Sequence, residues 1–334
     1  MKNKNEFIIY VMENVRRYLP LPFAEAQVFV EEKVKENGSK ISALLIRRQE
    51  ETLVPCIPLE EVYCEYMEGN TLEACVRKIA DLRIQHDNLE CLSDLSYVKD
   101  YGAVKERLMI RLCDPELNRE WLADRIYTLQ GDFAAVYYVA IHEEEEKTFS
   151  MPVSKQLLEE WKVSVKQLHE DALLSEKGRQ ACLFEMNDFI CSLMTGDGNV
   201  RNLLDEKTQW HPKTVETPVL CLTNSSMRNG ASMILQEELM EQIGEIIGSD
   251  FYVLTSSIHE TLLVPLGGMD VSELSRLVKE VNETQVELCD RLSDKVQYYD
   301  RAKGALENAE RRNQARTPVT TNREFDIGKA PVFA

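Results

Sequence analysis

Ala26-Gln-Val-Phe-Val-Glu-Glu-Lys-Val34, the pair Asn37-Gly38, and Ile41-Ser-Ala-Leu-Leu-Ile46 decide the fold class. Two β-rich runs flank an Asn-Gly pair, and both residues of that pair tolerate positive φ. The pattern predicts an antiparallel hairpin. Leu53-Val-Pro-Cys-Ile-Pro58 reads as a third strand, pushed to the sheet edge by its two prolines. Ahead of the hairpin, Phe7, Ile8, Val11, Met12 and Val15 share one face of a helix over 5–18 that stops before Pro20. Behind it, 60–68 and 71–91 read as helices. Thr71 opens the second, and Leu72, Cys75, Val76, Ile79 and Leu82 form its apolar stripe. Helix, three strands and two helices make an α+β order, with mainly antiparallel sheets and packed helices.

The polar connection from Asp94 to Gly102 divides the body into lobes at about 1–92 and 105–300. Arg107 to Leu112 is a buried strand or a short helix and leans to strand, with a short helix following near Asn118 to Arg125. Phe133-Ala-Ala-Val-Tyr-Tyr-Val-Ala-Ile141 is a continuous apolar run of strand length, expected at the centre of a sheet. Glu143 to Glu146 reads as a solvated turn into a strand over Thr148 to Met151. Residues 154–172 and 179–193 read as helices, 195–213 as a long loop, 219–223 as a strand and 231–247 as a helix ended by Gly248. Strands at 251–254 and 261–264 flank Ser256 to His259, and a helix starts near Ser272 with Glu273 in its first turn. Two readings stand for 271–309. Val271, Val278, Gln285, Leu292, Tyr299 and Leu306 recur every seven residues, as in a coiled coil. The other reading is a helix to about 282, a turn, and Lys295 to Tyr299 as a last packed segment.

The chain has 334 residues, with 39 basic and 57 acidic side chains and a net charge of −18. Seven basic and four acidic residues fall in 301–334, a net of +3, which leaves −21 for 1–300. A body of that sign repels polyphosphate and anionic membranes, so a nucleic-acid partner is not expected for it. The segment 301–334 reads as a basic, partly disordered tail, a tether or short peptide ligand. Charged residues interrupt the first 18 positions, so no signal peptide is expected, and no apolar stretch is long enough to span a bilayer. The nine cysteines are scattered, without a Cys-x-x-Cys pair. They read as reduced thiols of a cytoplasmic protein rather than zinc ligands.

Several stretches together carry a resemblance. They are Tyr18-Leu-Pro20 with the Asn37-Gly38 hairpin; Val219-Leu-Cys-Leu-Thr-Asn224 with Gly230-Ala231; Tyr252 to Pro265; Val281-Asn-Glu-Thr-Gln-Val286; and Leu292 to Asp300. In this order they resemble a family of bacterial proteins classed as a domain of unknown function, over about 5–300. The resemblance implies that this span is one unit and that its last motif is not a coiled coil. It brings no activity, cofactor or catalytic residue. Thr255 stands where the family's Tyr-x-Leu-Pro-Ser-Ser pattern has proline.

The candidate site is Ser256-Ser257-Ile258-His259-Glu260, two hydroxyls, an imidazole and a carboxylate between two apolar strands. Such a cluster suits acid–base or nucleophilic work. It equally suits a structural turn whose hydroxyls cap backbone groups. Asn224, in Thr223-Asn-Ser-Ser226 before Asn229-Gly230, leaves another strand and is placed to meet it. Asp132 with Glu145-x-Lys147 faintly resembles a nuclease site, but Glu-x-Lys is a chance-level pattern here, as Glu31-x-Lys33 shows. Thr195-Gly-Asp-Gly-Asn199 reads as a turn, because it lacks the spaced acids of a calcium loop. Phosphate-loop, dinucleotide, His-Glu-x-x-His and Gly-x-Ser-x-Gly motifs are absent. The expectation is a non-catalytic binding or accessory protein without cofactor or metal. It would act through an acidic surface or through a protein contact made by Arg311, Arg312 and Arg316. The alternative is a hydrolase using Ser257, His259 and Glu260 with Asn224.

Overall fold

Positive φ angles at Asn37 (58°) and Gly38 (71°) reverse the chain between β1 (Gln27–Val34) and β2 (Lys40–Arg47), so the expected hairpin forms. Its register runs from Gln27↔Arg47 to Val34↔Lys40. This is a computed structural model, and it describes residues 2–49, 51, 54–87, 95–143, 148–195, 200–205, 210 and 218–316. Helix α1 (Lys4–Asn14) precedes the hairpin, and its Asn3 and Glu6 side chains close a capping box. Among the described residues of the expected third strand, β3 (Ile57–Pro58) is the part that pairs, against Ala43 and Leu44. Proline supplies no ladder N–H, which keeps this edge short. Helices α2 (Glu60–Met67) and α3 (Leu72–Asp87) cover the sheet. Phe7, Val11, Leu44, Ile46, Val76 and Ile79 form the core of this N-terminal unit.

After α4 (Tyr101–Val104) come β4 (Leu108–Cys113), α5 (Arg119–Leu122), β5 (Tyr127–Gln130), β6 (Phe133–Glu143) and β7 (Thr148–Pro152). The apolar run of β6 is central: β4 lies on one side, with β5 and β7 along the other. Next follow α6 (Lys155–Trp161), α7 (Val165–Lys177), β8 (Ala181–Glu185), α8 (Met186–Thr195), β9 (Leu220–Asn224) and α9 (Glu237–Ile247). The described chain ends with β10 (Phe251–Leu254), β11 (Thr261–Pro265), α10 (Val271–Thr284), β12 (Val296–Asp300), β13 (Ala305–Asn308) and α11 (Ala309–Arg316). A six-stranded sheet has the order β13-β12-β10-β11-β9-β8, with every neighbouring pair antiparallel. Side chains such as Ile110, Phe133, Tyr137, Leu222, Phe251 and Leu263 fuse the four- and six-stranded sheets into one core. The fold is α+β with antiparallel sheets.

Three sequence expectations need correction. The helix expected over 179–193 is β8 followed by α8. Its unbroken apolar run suits either element, and pairing with β9 decides for strand. The helix expected over 154–172 stops at Lys162, which has φ 55°, and restarts after the Ser164 cap. The helix expected over 231–247 begins as a 3₁₀ turn at Gly230–Leu235, and extended Gln236 separates it from α9. For 271–309, α10 ends at Thr284 and β12 follows, so the coiled-coil reading falls.

The hairpin tip also ties the N-terminal unit to the body. The Asn37 amide donates to the Asn118 side chain (2.7 Å), and its Nδ2 donates to the Leu288 and Arg291 carbonyls (2.7 and 2.8 Å). Beside it, Glu36 pairs with Arg111 at 3.0 Å. Among the described residues no helix is long and apolar enough to cross a membrane.

Candidate functional site

Between the end of β10 and the start of β11, residues 255–260 run through a frame of backbone bonds. Ile258 N–H donates to the Asp290 carbonyl, while Leu292 and Ser293 N–H donate to the Ser256 and Thr255 carbonyls, all within 2.8–2.9 Å. From the other side Ala231 N–H reaches the Ile258 carbonyl, and Thr223 Oγ1 donates to the His259 carbonyl at 2.8 Å. Gly230 permits this approach: a Cβ there would lie 2.5 Å from the His259 carbonyl and 2.8 Å from the Asn224 nitrogen. The turn after β9 therefore does meet the candidate loop.

Inside this frame the polar groups have specific partners. Ser256 and Ser257 are buried. Ser257 Oγ accepts the His259 N–H at 3.0 Å. The half-buried His259 ring takes the Asn229 N–H on Nδ1 (3.3 Å) and turns Nε2 to Asp290 Oδ1 (3.5 Å). An accepting Nδ1 assigns the ring proton of the neutral form to Nε2, facing that carboxylate. The His259 hydrogen bond holds the Asp290 carboxyl below its ordinary range. Burial pushes Glu260 up, opposed by Ser257 and His259. Asn224 is buried and closes its own turn: Nδ2 donates to the Arg228 carbonyl, and Oδ1 accepts from Ser226 and from Arg228 N–H.

Acyl transfer needs a nucleophilic oxygen hydrogen-bonded to a ring nitrogen that can take its proton. Here Ser257 Oγ accepts from the His259 main chain, while both ring nitrogens face other partners. The cluster thus holds the strand-end loop against 285–293. Sequence reasoning placed Asn229 beside the loop but missed Asp290, because no local spacing links that residue to His259. Its only signal is that the flanking stretches 281–286 and 292–300 belong to the same set of motifs. Glu287, Cys289 and Asp290 place ligand atoms within 4.8 Å of one another, a sulfur–oxygen set that suits a borderline divalent cation. The first two are exposed.

Asp132 is engaged by three side chains of the C-terminal segment. It accepts from Gln297 (3.3 Å), Asn308 (2.6 Å) and Arg311 (2.5 Å). Glu145, Lys147 and residues 196–199 lie outside the described residues. Arg312 donates to Asp300 (3.0 Å) and Glu307 (2.7 Å) and sits 3.9 Å over the Tyr298 ring. Arg316 is the last residue of α11. Within the basic, partly disordered tail expected from Arg301, residues 305–316 form a strand and a helix on the body, and 317–334 lie outside the described residues.

Architecture and site together define an α+β protein without a recognisable catalytic triad among its described residues. A family model described as a family of unknown function (DUF5688) matches residues 4–301, and the chain belongs to that family. No curated protein and no solved structure matches it. The family match stops at Arg301, just short of β13.

Proposed function

We propose that this chain is a non-catalytic binding or accessory protein of the bacterial cytoplasm. The observation that carries the reading is the engagement of the His259 ring by the Asn229 amide and Asp290, with Ser257 bound elsewhere. The described cysteines are all free thiols, and Cys75, Cys113 and Cys221 are buried, which supports a reducing compartment. The excess of 57 acidic over 39 basic residues supports recognition through an acidic surface. A hydrolase using Ser257, His259 and Glu260 is the alternative, favoured by the opposed pKa shifts of Glu260 and Asp290. Chromogenic ester, amide and phosphoester substrates test both. The binding reading expects no turnover beyond that of Ser257→Ala and His259→Ala variants. Turnover that disappears in both variants overturns it.

A further inference from the structure

The geometry points to the outer edge of β12 as a strand-accepting site for an extended basic segment of a partner protein, with residues 305–316 as its built-in, displaceable occupant. The five residues of β12 are all buried, between β10 on one side and β13 on the other. The family match covers β12 and ends before β13. The edge therefore belongs to the family domain, and its cover comes from the chain beyond it. An uncovered edge strand presents a row of unpaired N–H and C=O groups that invites another strand.

The groups flanking that edge specify what it accepts. The Asp132 side chain is 6% exposed and contributed by the domain. Of its three side-chain donors only Gln297 belongs to the family span, and Asn308 and Arg311 come from the cover. A carboxylate so buried needs a cation to offset its lost hydration. Asp300 and the face of the Tyr298 ring provide a second cation seat, filled by Arg312. A strand followed by two consecutive arginines satisfies both seats, and the chain's own segment has that form. Its charge opposes that of the body, +3 for 301–334 against −21.

The cover is held in a way that allows exchange. All four β13 residues are only half-buried, and Arg311 remains 69% exposed over its ion pair. Of the cover's side chains, Ala309 is the one fully buried apolar group. Leu306 packs against the main core, and Arg312 pairs with Asp300 at only 11% and 10% exposure. The cover is thus held chiefly by its ladder and by arginine–carboxylate pairs, contacts that a competing strand carrying two arginines reproduces. The proposal names a surface for the binding reading above and rests on that reading only for the existence of a partner.

The test uses the full chain and a labelled synthetic peptide of residues 302–316. The variant R311E/R312E removes the arginines of the built-in cover and leaves Asp132 and Asp300 intact. It is expected to lose hydrogen-exchange protection over 305–308 and to bind the peptide at least tenfold more tightly than the unaltered chain. Binding should weaken with salt and vanish when both peptide arginines are alanine. If the charge-reversed variant does not fold, R311Q/R312Q takes its place. Protection that persists in the variant, failure to bind the peptide, or equal binding of the arginine-free peptide would each overturn the proposal. So would a concentration-dependent dimer that exchanges covers. Hydrolase turnover at Ser257 would sink the binding reading without altering these results.

Discussion

The His259 loop and the Asp132 anchor are both polar clusters at strand ends, yet they are built from opposite materials. Around His259, backbone amides and carbonyls from three segments fix the loop. Around Asp132, side chains from β12, β13 and α11 converge on one carboxylate. A backbone frame is released only by local unfolding, whereas a side-chain anchor yields to one substitution or to salt. The first arrangement suits a scaffold and the second a contact that comes apart.

The sharpest way to break this contrast is Gly230→Ala. Its Cβ would strike the His259 carbonyl and the Asn224 nitrogen, so the frame must move at a cost of about 3 kcal/mol. Thermal or urea unfolding measures it, and a change below about 0.5 kcal/mol would show that the approach is not tight. Asp132→Ala should cost about 2 kcal/mol, since Arg311, Asn308 and Gln297 all lose an acceptor. Arg311→Ala, at an exposed pair, should stay under about 1 kcal/mol. The Asp132 contribution also carries a pH signature. Burial raises its carboxyl, but donors from Asn308, Gln297 and Arg311 win and hold it below the ordinary range. A depressed folded-state value means the stabilisation is present above the unfolded pKa, about 3.9, and is lost as pH falls through the folded one. Wild type and Asp132→Ala should therefore converge in stability in acid.

Two further variants sharpen the comparison. Asn37→Ala removes three side-chain hydrogen bonds, two donated by Nδ2 and one accepted by Oδ1 from Asn118, and a residue tolerant of φ 58°, for about 1–2 kcal/mol. The smallest expected change is Glu260→Gln. Burial raises this carboxyl, so the folded state favours its protonated form, and stability falls as pH rises above the unfolded value. The variant should melt about one to two degrees higher than wild type near pH 7, with the gap closing near pH 4. A gap that widens in acid would reverse the sign.

The same contrast explains what could be read from sequence. The hairpin, the apolar run of β6 and the strands β9 to β11 are local patterns, and they form where periodicity and turn chemistry place them. β8 was misread because an unbroken apolar run has no period to distinguish strand from helix. Ser257, His259 and Glu260 drew notice as neighbours in the chain, but their partner Asp290 lies on a separate segment and left no local trace. Asp132 drew notice for a chance-level pattern, while its partners Asn308 and Arg311 lie 176 and 179 residues away. The basic composition after Arg301 reads as a partly disordered tether or short peptide ligand. Composition alone does not reveal that acidic anchors on the body are placed to receive it.

Hydrogen exchange on the full chain, unaltered and carrying Asp132→Ala, compares the two clusters directly. The account predicts that the variant loses protection over 305–308 while amides of 256–259 exchange as in the unaltered chain. Unchanged protection over 305–308, or equal loss in both segments, would contradict it.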